Sequence, residues 1–368
     1  MAQRPLLGIV RIGEKKMTGL RLVPEENNMR FTKLTASLLA TCGAMMLAGS
    51  ALAQDASAGA KIGVSWSYIN NIFYTTESRL VVEALKAEGM DPLQITNADG
   101  DVAKQIGDID ALLAQGAKAL VIVPMDSRAV GPVIERAADQ GIPTIGPDIG
   151  VDNPRVFINI AVDNELMGKM QCEDLGPKLS DGDKIAYITG NLADLAGKAR
   201  FDGFNNCMAE NFPAVNVVIG ESKWDTRVAA DALQSILVAN PDIKAVALAS
   251  DSQYLYSSIA VIKAAGRLVP AGEEGHIYVT SIDGSPDAVN AIRAGEADVT
   301  IAQPLPQYAS LTAKYIKMAL NGETVAVGPT DHNSEIVEID GVLKDVLQPI
   351  LVNKDNVDSK DVWGNLVD

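Results

Sequence analysis

Ala119-Leu120-Val121-Ile122-Val123-Pro124-Met125-Asp126 decides the fold class. Five apolar residues run without alternation and stop at a proline and an acid. A strand that buries only one face alternates; a continuous run predicts a strand covered on both faces. Upstream lies Asp101–Gln115, with Ile106, Ile109, Leu112 and Leu113 on one side and Gly116 closing it. Downstream lies Ala129–Gln140, closed by Gly141, before Gly141-Ile142-Pro143-Thr144-Ile145 opens the next strand. Both flanks carry helical spacing with a glycine C-cap. Helix, buried strand, helix, buried strand is the repeat of a parallel sheet with helices on both faces.

The repeat extends both ways. Lys61–Ser65 predicts a first strand, Thr75–Glu88 a helix ending at Gly89, and Pro92–Asn97 a second strand. Further on, helix Asn164–Leu179 leads to strand Lys184–Thr189, and helix Ala199–Asn211 to strand Asn216–Ile219. Helix Arg227–Ala239 leads to strand Ala245–Ala249, and helix Ser252–Ala265 to strand Ile277–Ile282. Helix Pro286–Ala294 precedes strand Val299–Ala302, helix Tyr308–Leu320 follows, and Leu351-Val352 is a short terminal strand. One sheet does not comfortably hold so many strands, so two doubly wound α/β lobes are expected. Ligands of such sheets sit outside the carboxyl ends of the strands, and two facing lobes make those ends the walls of a cleft.

The 368 residues are 47% hydrophobic and 21% charged, which suits a folded chain of about two domains and excludes dominant disorder. The formal charge is −16, and no Lys/Arg run resembles a nucleic-acid patch. The two histidines, His276 and His332, do not suggest a metal centre built on several imidazoles. No cofactor is expected. There is no G-x-G-x-x-G after the first strand, no phosphate-cradling P-loop, no H-E-x-x-H and no G-x-S-x-G.

Residues 34–53, LTASLLATCGAMMLAGSALA, follow Arg30 and Lys33 and end in Ala51-Leu52-Ala53. A basic start, a short apolar run and an A-x-A site describe an export signal. Residues 29–53 are therefore expected to be a signal peptide, with Met29 as the start and residues 1–28 as an upstream extension. Leu39-Ala40-Thr41-Cys42 is a poor lipobox, because Thr precedes the Cys. The chain is expected to be exported to an oxidising compartment. Cys172 and Cys207 remain, either paired in that oxidising compartment or buried as two small hydrophobes on separate helices.

Several short segments in order carry a family resemblance: Asn70-Asn71-Ile72-Phe73-Tyr74, Val121–Asp126, Gly141–Ile145 with Asp148, Ser281-Ile282-Asp283-Gly284-Ser285-Pro286-Asp287-Ala288, and Ile301-Ala302-Gln303-Pro304. From about residue 61 to 352 the chain resembles the periplasmic sugar-binding proteins of ABC importers, the ribose-binding-protein-like group. The resemblance implies two lobes joined by a three-strand hinge that close on a sugar. Crossovers would fall near Ala161–Asp163, Gln303–Pro304 and Gln348–Leu351. Residues 54–162 and 304–347 would form the N-terminal lobe, and 163–303 with 348–368 the C-terminal lobe.

Matched position by position, the resemblance implies stacking aromatics at Phe73, Tyr74 and Trp224. It implies hydroxyl binders at Asn71, Asp148, Asp251, Asp283 and Gln303, and a ligand contact at Lys198. Sugars present apolar C–H faces to rings and hydroxyls to charged or amide groups, and an unpaired buried polar group costs about 1–3 kcal/mol. Core packing at the helix entry is the alternative for Phe73 and Tyr74, a helix N-cap for Asp283, and a hinge role for Gln303. Trp66 and Tyr68, at the end of the first strand, either narrow the pocket or pack beneath the first helix.

Three departures stand out. Ile149 follows Asp148 where many family members carry Arg, Lys198 stands where a ligand-binding Arg is common, with Arg200 two residues on, and Asp251 replaces a frequent Asn. A pocket with fewer donors and more acceptors suits a neutral pentose, hexose or polyol over a sugar acid. The implied partners are that solute and the transmembrane subunits of an ABC permease, with a chemoreceptor as a further possible recipient of the loaded protein and the protein itself a monomer. A non-carbohydrate ligand is the alternative. A lactose-repressor-type regulator would need a basic headpiece where the apolar segment stands. No nucleophile–base–orienter set suggests an enzyme.

Overall fold

The computed structural model describes residues 55–192 and 195–367. The expected signal segment and its upstream extension lie outside the described residues. No helix among the described residues is long and apolar enough to cross a membrane.

The first lobe is built from β1 (Lys61–Trp66), α1 (Ile72–Ala87), β2 (Asp91–Pro92), β3 (Thr96–Asn97), α2 (Val102–Ala114), β4 (Ala119–Val123), α3 (Gly131–Asp139), β5 (Thr144–Pro147) and β6 (Ile158–Val162). The second contains α4 (Asn164–Leu175), β7 (Lys184–Thr189), α5 (Leu195–Asn211), β8 (Asn216–Glu221), α6 (Thr226–Ala239), β9 (Ile243–Leu248), α7 (Asp251–Ala264), β10 (Tyr278–Asp283), α8 (Pro286–Ala294) and β11 (Val299–Ala302). The chain then returns to the first lobe as α9 (Leu305–Leu320), β12 (Gly328–Pro329), β13 (Glu335–Ile339) and β14 (Val342–Leu347). It ends in the second lobe with β15 (Ile350–Val352) and a 3₁₀ turn at Trp363–Asn365.

The first sheet runs β12-β13-β14-β6-β5-β4-β1-β2, with β3 also on β1. It is parallel from β14 to β2 and antiparallel only at the β12–β13–β14 edge. The second sheet runs β15-β11-β10-β9-β7-β8, parallel except where β15 runs against β11. Each sheet reverses its strand order around its first strand, β1 or β7, and this is where open α/β sheets form their crevice.

The continuous apolar runs are explained by the packing. All five residues of β4 are buried, and their side chains divide between two apolar layers. Val121 and Val123 face α1 and α9, while Leu120 and Ile122 face α2 and α3. The second sheet is sandwiched likewise, with α6, α7 and α8 on one side and α4 and α5 on the other.

The chain moves between sheets after β6, after β11 and after β14. Val162 N donates to the Tyr308 hydroxyl at 2.9 Å, and that hydroxyl donates to Gln303 Oε1 at 3.1 Å. One side chain of α9 thus ties the first passage to the second.

Several expectations need correction. The expected strand Pro92–Asn97 is two fragments, because Pro92 cannot donate to a ladder and sits on the edge. The expected helix Asn164–Leu179 ends at Leu175 and tightens into a 3₁₀ turn at Gly176–Lys178, where Pro177 enters. The hairpin β13–β14 is an addition. Its turn is Asp340-Gly341, with φ of 52° and 80°, the doubly left-handed two-residue connection that Asp-Gly favours.

Cys172 and Cys207 are bonded to each other, joining α4 to α5 with Cα atoms 6.1 Å apart. The two helices cross closely there: a Cβ on Gly168 would lie 1.9 Å from Arg200 O, and one on Gly203 would lie 2.0 Å from Glu165 O. These glycines bring the backbones near enough for the bond.

Candidate functional site

The second lobe assembles most of the site at the strand ends. Asp283 closes β10 with a φ of 127°, a conformation that side-chain-bearing residues rarely adopt and that concentrates at functional sites. Its carboxylate is surrounded. Oδ1 accepts from Gln303 Nε2 at 2.9 Å and from Arg200 Nη1 at 3.2 Å. Oδ2 accepts from Ser250 Oγ at 2.7 Å and Ser252 Oγ at 2.6 Å.

Arg200 reaches this point from α5. Its Nε donates to Asn164 Oδ1 at 2.9 Å and its Nη1 to Ala249 O at 2.7 Å. Burial opposes its charge, but Asp283 and Asp148 together push its pKa up, so it stays a fixed cation. The guanidinium carbon lies 5.8 Å from the Trp224 ring centroid, within cation–π range. Trp224 itself has a φ of 61° after Lys223 at 55°, and its ring covers Gly190. A Cβ on Gly190 would lie 2.1 Å from the indole. Strand β7 is therefore followed at once by a glycine where the ring lies.

The first lobe contributes a smaller set. Asn71 caps α1, its Oδ1 accepting from Tyr74 N at 2.9 Å. Phe73 is buried and meets Tyr74 edge-on, with centroids 5.4 Å apart. Asp148 ends β5 with a φ of 60°. Burial pushes its pKa up to about 6; Arg200 pulls it down, Asp283 pushes it up, and the hydrogen bond from the Tyr74 hydroxyl pulls it down. These influences place the Asp148 carboxyl of one lobe in the field of the Arg200–Asp283 pair of the other. Beneath it, Glu77 is wholly buried, accepts from Trp66 Nε1 at 3.3 Å, and is held well above the usual carboxylate range by burial and by Asp148.

Asp283 and Gln303 share a direct bond, Trp224 joins them through Arg200, and Asp148, bonded to Tyr74, is within electrostatic reach of Arg200 and Asp283. Phe73 stands behind Tyr74. Asp251 lies deeper and is 1% exposed. It accepts from Gly284 N and Ser285 N at 3.0 Å each and from Thr300 Oγ1 at 2.6 Å, so its oxygens brace the turn after Asp283. Burial, then Asp283, push its pKa up to about 7. Lys198 is on the outer face of α5, exposed and paired with Asp202. One turn of helix carries 3.6 residues, so the inward-facing position is Arg200.

Trp66 is fully buried against Glu77, beneath α1. Tyr68 covers Gly100, whose added Cβ would meet Tyr68 Cε1 at 2.8 Å. Reading by position missed Ser250, Ser252, Tyr308 and Trp363. The two serines frame Asp251 at a strand end, which reads as ordinary N-capping. Tyr308 sits inside a helical apolar pattern, and Trp363 lies in an irregular tail.

Residues 62–324 match the family model described as a periplasmic binding protein domain. The ribose import binding protein of Bacillus subtilis is 28% identical over 264 residues, covering 72% of this chain and 83% of that protein. The D-allose-binding periplasmic protein of Escherichia coli is 25% identical over 307 residues, covering 81% of this chain and 96% of that one. Among solved structures, an ABC transporter solute binding protein from Bacillus halodurans with bound myo-inositol superimposes with a TM-score of 0.69. It is 22% identical and covers 83% of this chain and 98% of its own. The family match over most of the chain and the two doubly wound sheets agree: this chain belongs to the periplasmic binding proteins, in the ribose-binding-protein-like, type I group.

Proposed function

We propose that the protein captures a neutral sugar, a pentose or hexose, or a polyol between its lobes and delivers it to the transmembrane subunits of an ABC permease. The observation that carries this is the buried Arg200–Asp283–Gln303 constellation, with Trp224 on one side and Asp148 and Tyr74 opposite. Charged and amide groups of that kind accept and donate to a hydroxyl rim, and a ring covers a C–H face. The relatives named above are described as binding ribose and D-allose, which fits this chemistry.

Closure follows from differential affinity. A solute held by Asp148 of one lobe and by Asp283 and Arg200 of the other binds the closed arrangement better and shifts the population toward it. The protein acts as a monomeric carrier and performs no reaction on its cargo. Residues 29–53 direct it to the periplasm and are removed there.

The test is a thermal-shift screen of the purified, ligand-stripped protein over pentoses, hexoses, polyols, sugar acids and amino acids. A true ligand at a hundredfold excess over Kd stabilises the fold by about 2.7 kcal/mol. A shift confined to neutral sugars or polyols supports the reading, and a shift with amino acids or sugar acids alone removes it.

A further inference from the structure

The chain continues after β15, and residues 353–367 form a strap rooted in the second lobe. Val357 and Val362 are buried in the second lobe's apolar layer, and Arg293 of α8 binds Asp358 at 2.6 Å and Asn365 at 2.8 Å. From this root the strap returns to the site. Trp363 is fully buried, and its Nε1 donates to the main-chain oxygen of Asp283 at 2.6 Å. Gly364 N donates to Gly284 O at 3.1 Å.

Those two carbonyls belong to the turn that aims the Asp283 carboxylate, strained at Asp283, whose φ is 127°, and continued by Gly284 at 81°, which glycine adopts freely. A main chain in that region persists only where its surroundings hold it. The fit is close: a Cβ on Gly364 would lie 2.6 Å from Gly284 O.

The strap also touches the other lobe. The Trp363 ring meets Phe73 of α1 edge-on, with centroids 5.7 Å apart and planes at 88°. Arg79 of α1 donates to Leu366 O at 3.4 Å, and Val367 packs on the first lobe's core. Phe73 in turn meets Tyr74, the residue beside Asp148. A line of rings therefore runs from the acid of one lobe to the acid of the other.

We propose that Trp363 is a positioning residue with two effects. Its N–H holds the Asp283 main chain so that the carboxylate is presented to the cleft. Its ring edge makes a contact with Phe73 that requires the lobes to be together, so the C-terminal strap biases the ligand-free protein toward closure. A contact present in only one of two states shifts their ratio by its own free energy. The affinity arm of the test below rests on the sugar-capture reading; the two ligand-free arms do not.

The experiment compares full-length wild type, Trp363→Phe and Trp363→Ala. Small-angle scattering gives the ligand-free radius of gyration, hydrogen exchange reports the peptide over 280–286, and titration uses D-ribose, D-allose and myo-inositol as probes. Trp363→Ala is expected to enlarge the radius, and Trp363→Phe, which keeps a ring, to enlarge it less. Both variants lose the donor, so exchange over 280–286 accelerates in both. Any probe that wild type binds is held about tenfold more weakly by Trp363→Phe, the equivalent of 1.4 kcal/mol. An unchanged radius in a cooperatively melting Trp363→Ala protein overturns the closure role. Unchanged exchange in Trp363→Phe overturns the positioning role, and that variant decides the matter if the alanine protein does not fold. If wild type binds none of the three probes, the sugar reading is judged by the wider thermal-shift screen above, while radius and exchange still judge Trp363.

Discussion

Arg200 and Asp283 form the most deeply buried ion pair among the described residues, 3.2 Å apart with 6% and 5% of their side chains exposed. Removing one partner of such a pair leaves an uncompensated buried charge, at a cost of about 3–5 kcal/mol. Arg200→Met is expected to lower stability by about that amount, measured by urea unfolding, and to weaken solute binding at least a hundredfold. Retained binding with retained stability would remove Arg200 from the site.

Lys198 supplies the paired control. It is exposed and, among the described residues, pairs with its helical neighbour Asp202, an i,i+4 pair worth about 0.3–0.5 kcal/mol. Lys198→Ala should leave affinity within about twofold of wild type. A large loss would mean that the lysine reaches the solute when the lobes move.

The Tyr308 hydroxyl serves two of the three passages between the lobes, accepting from Val162 N and donating to Gln303 Oε1. Tyr308→Phe keeps the ring and strands both partners, at about 1–3 kcal/mol. The expected result is a lower midpoint of thermal unfolding together with weaker binding, because Gln303 is freed to turn away from Asp283. A midpoint shift with unaltered binding would confine Tyr308 to a structural role.

The bond between Cys172 and Cys207 closes a loop of 35 residues, for which chain entropy gives about 3–4 kcal/mol. The doubled variant Cys172→Ser/Cys207→Ser should lose about 2–4 kcal/mol in chemical denaturation, and dithiothreitol should have the same effect on wild type. Loss of binding should accompany it, since the bonded helices carry Asn164 and Arg200. A fully reduced protein of unchanged stability would contradict this.

Burial raises Asp148 to about 6 and Asp251 to about 7, both above the value of 3.8 for an ordinary aspartate. Between that value and the raised ones the folded protein binds more protons than the unfolded chain. Stability from these two groups is therefore present in acid and falls as pH rises through about 6 and then 7. Denaturation of wild type and Asp148→Asn at pH 5 and 7.5 checks the sign. The asparagine variant should lose less stability across that interval, and a steeper fall in the variant would reverse the assignment.

Much of the second lobe was legible in outline because its central strands carry dense apolar runs. Ile185–Ile188 of β7, just ahead of Gly190, and Ala245–Leu248 of β9 show it clearly. The hairpin β13–β14 was harder, since its residues alternate with charge and lie at a sheet edge, although Asp340-Gly341 marks the turn. At the site, spacing leads to Asp283 and Gln303 because both end strands. A single residue of helix separates Lys198 from Arg200, and only the helical phase shows which one points inward. The carboxylates behave similarly. Asp251 and Asp283 both stand at the carboxyl edge of the second sheet, yet one aims its oxygens at backbone N–H groups and the other is met by four side chains from three segments. Trp363 has no periodic neighbours to betray it.

The three passages between the sheets have a consequence for the order in which the protein can take shape. The first lobe is interrupted at Val162 and resumes only at Leu305, and β14 must reach β6 from about 180 residues further along the chain, a long-range closure that slows folding. A ribosome releasing the chain from its amino end delivers β1 to β6 early, but their sheet keeps an open edge at β6 until Val342–Leu347 emerge. The second lobe, nearly continuous, can form in the meantime. Trp363 emerges after every strand of both sheets, so the element that braces Asp283 is made later than the sheets it joins.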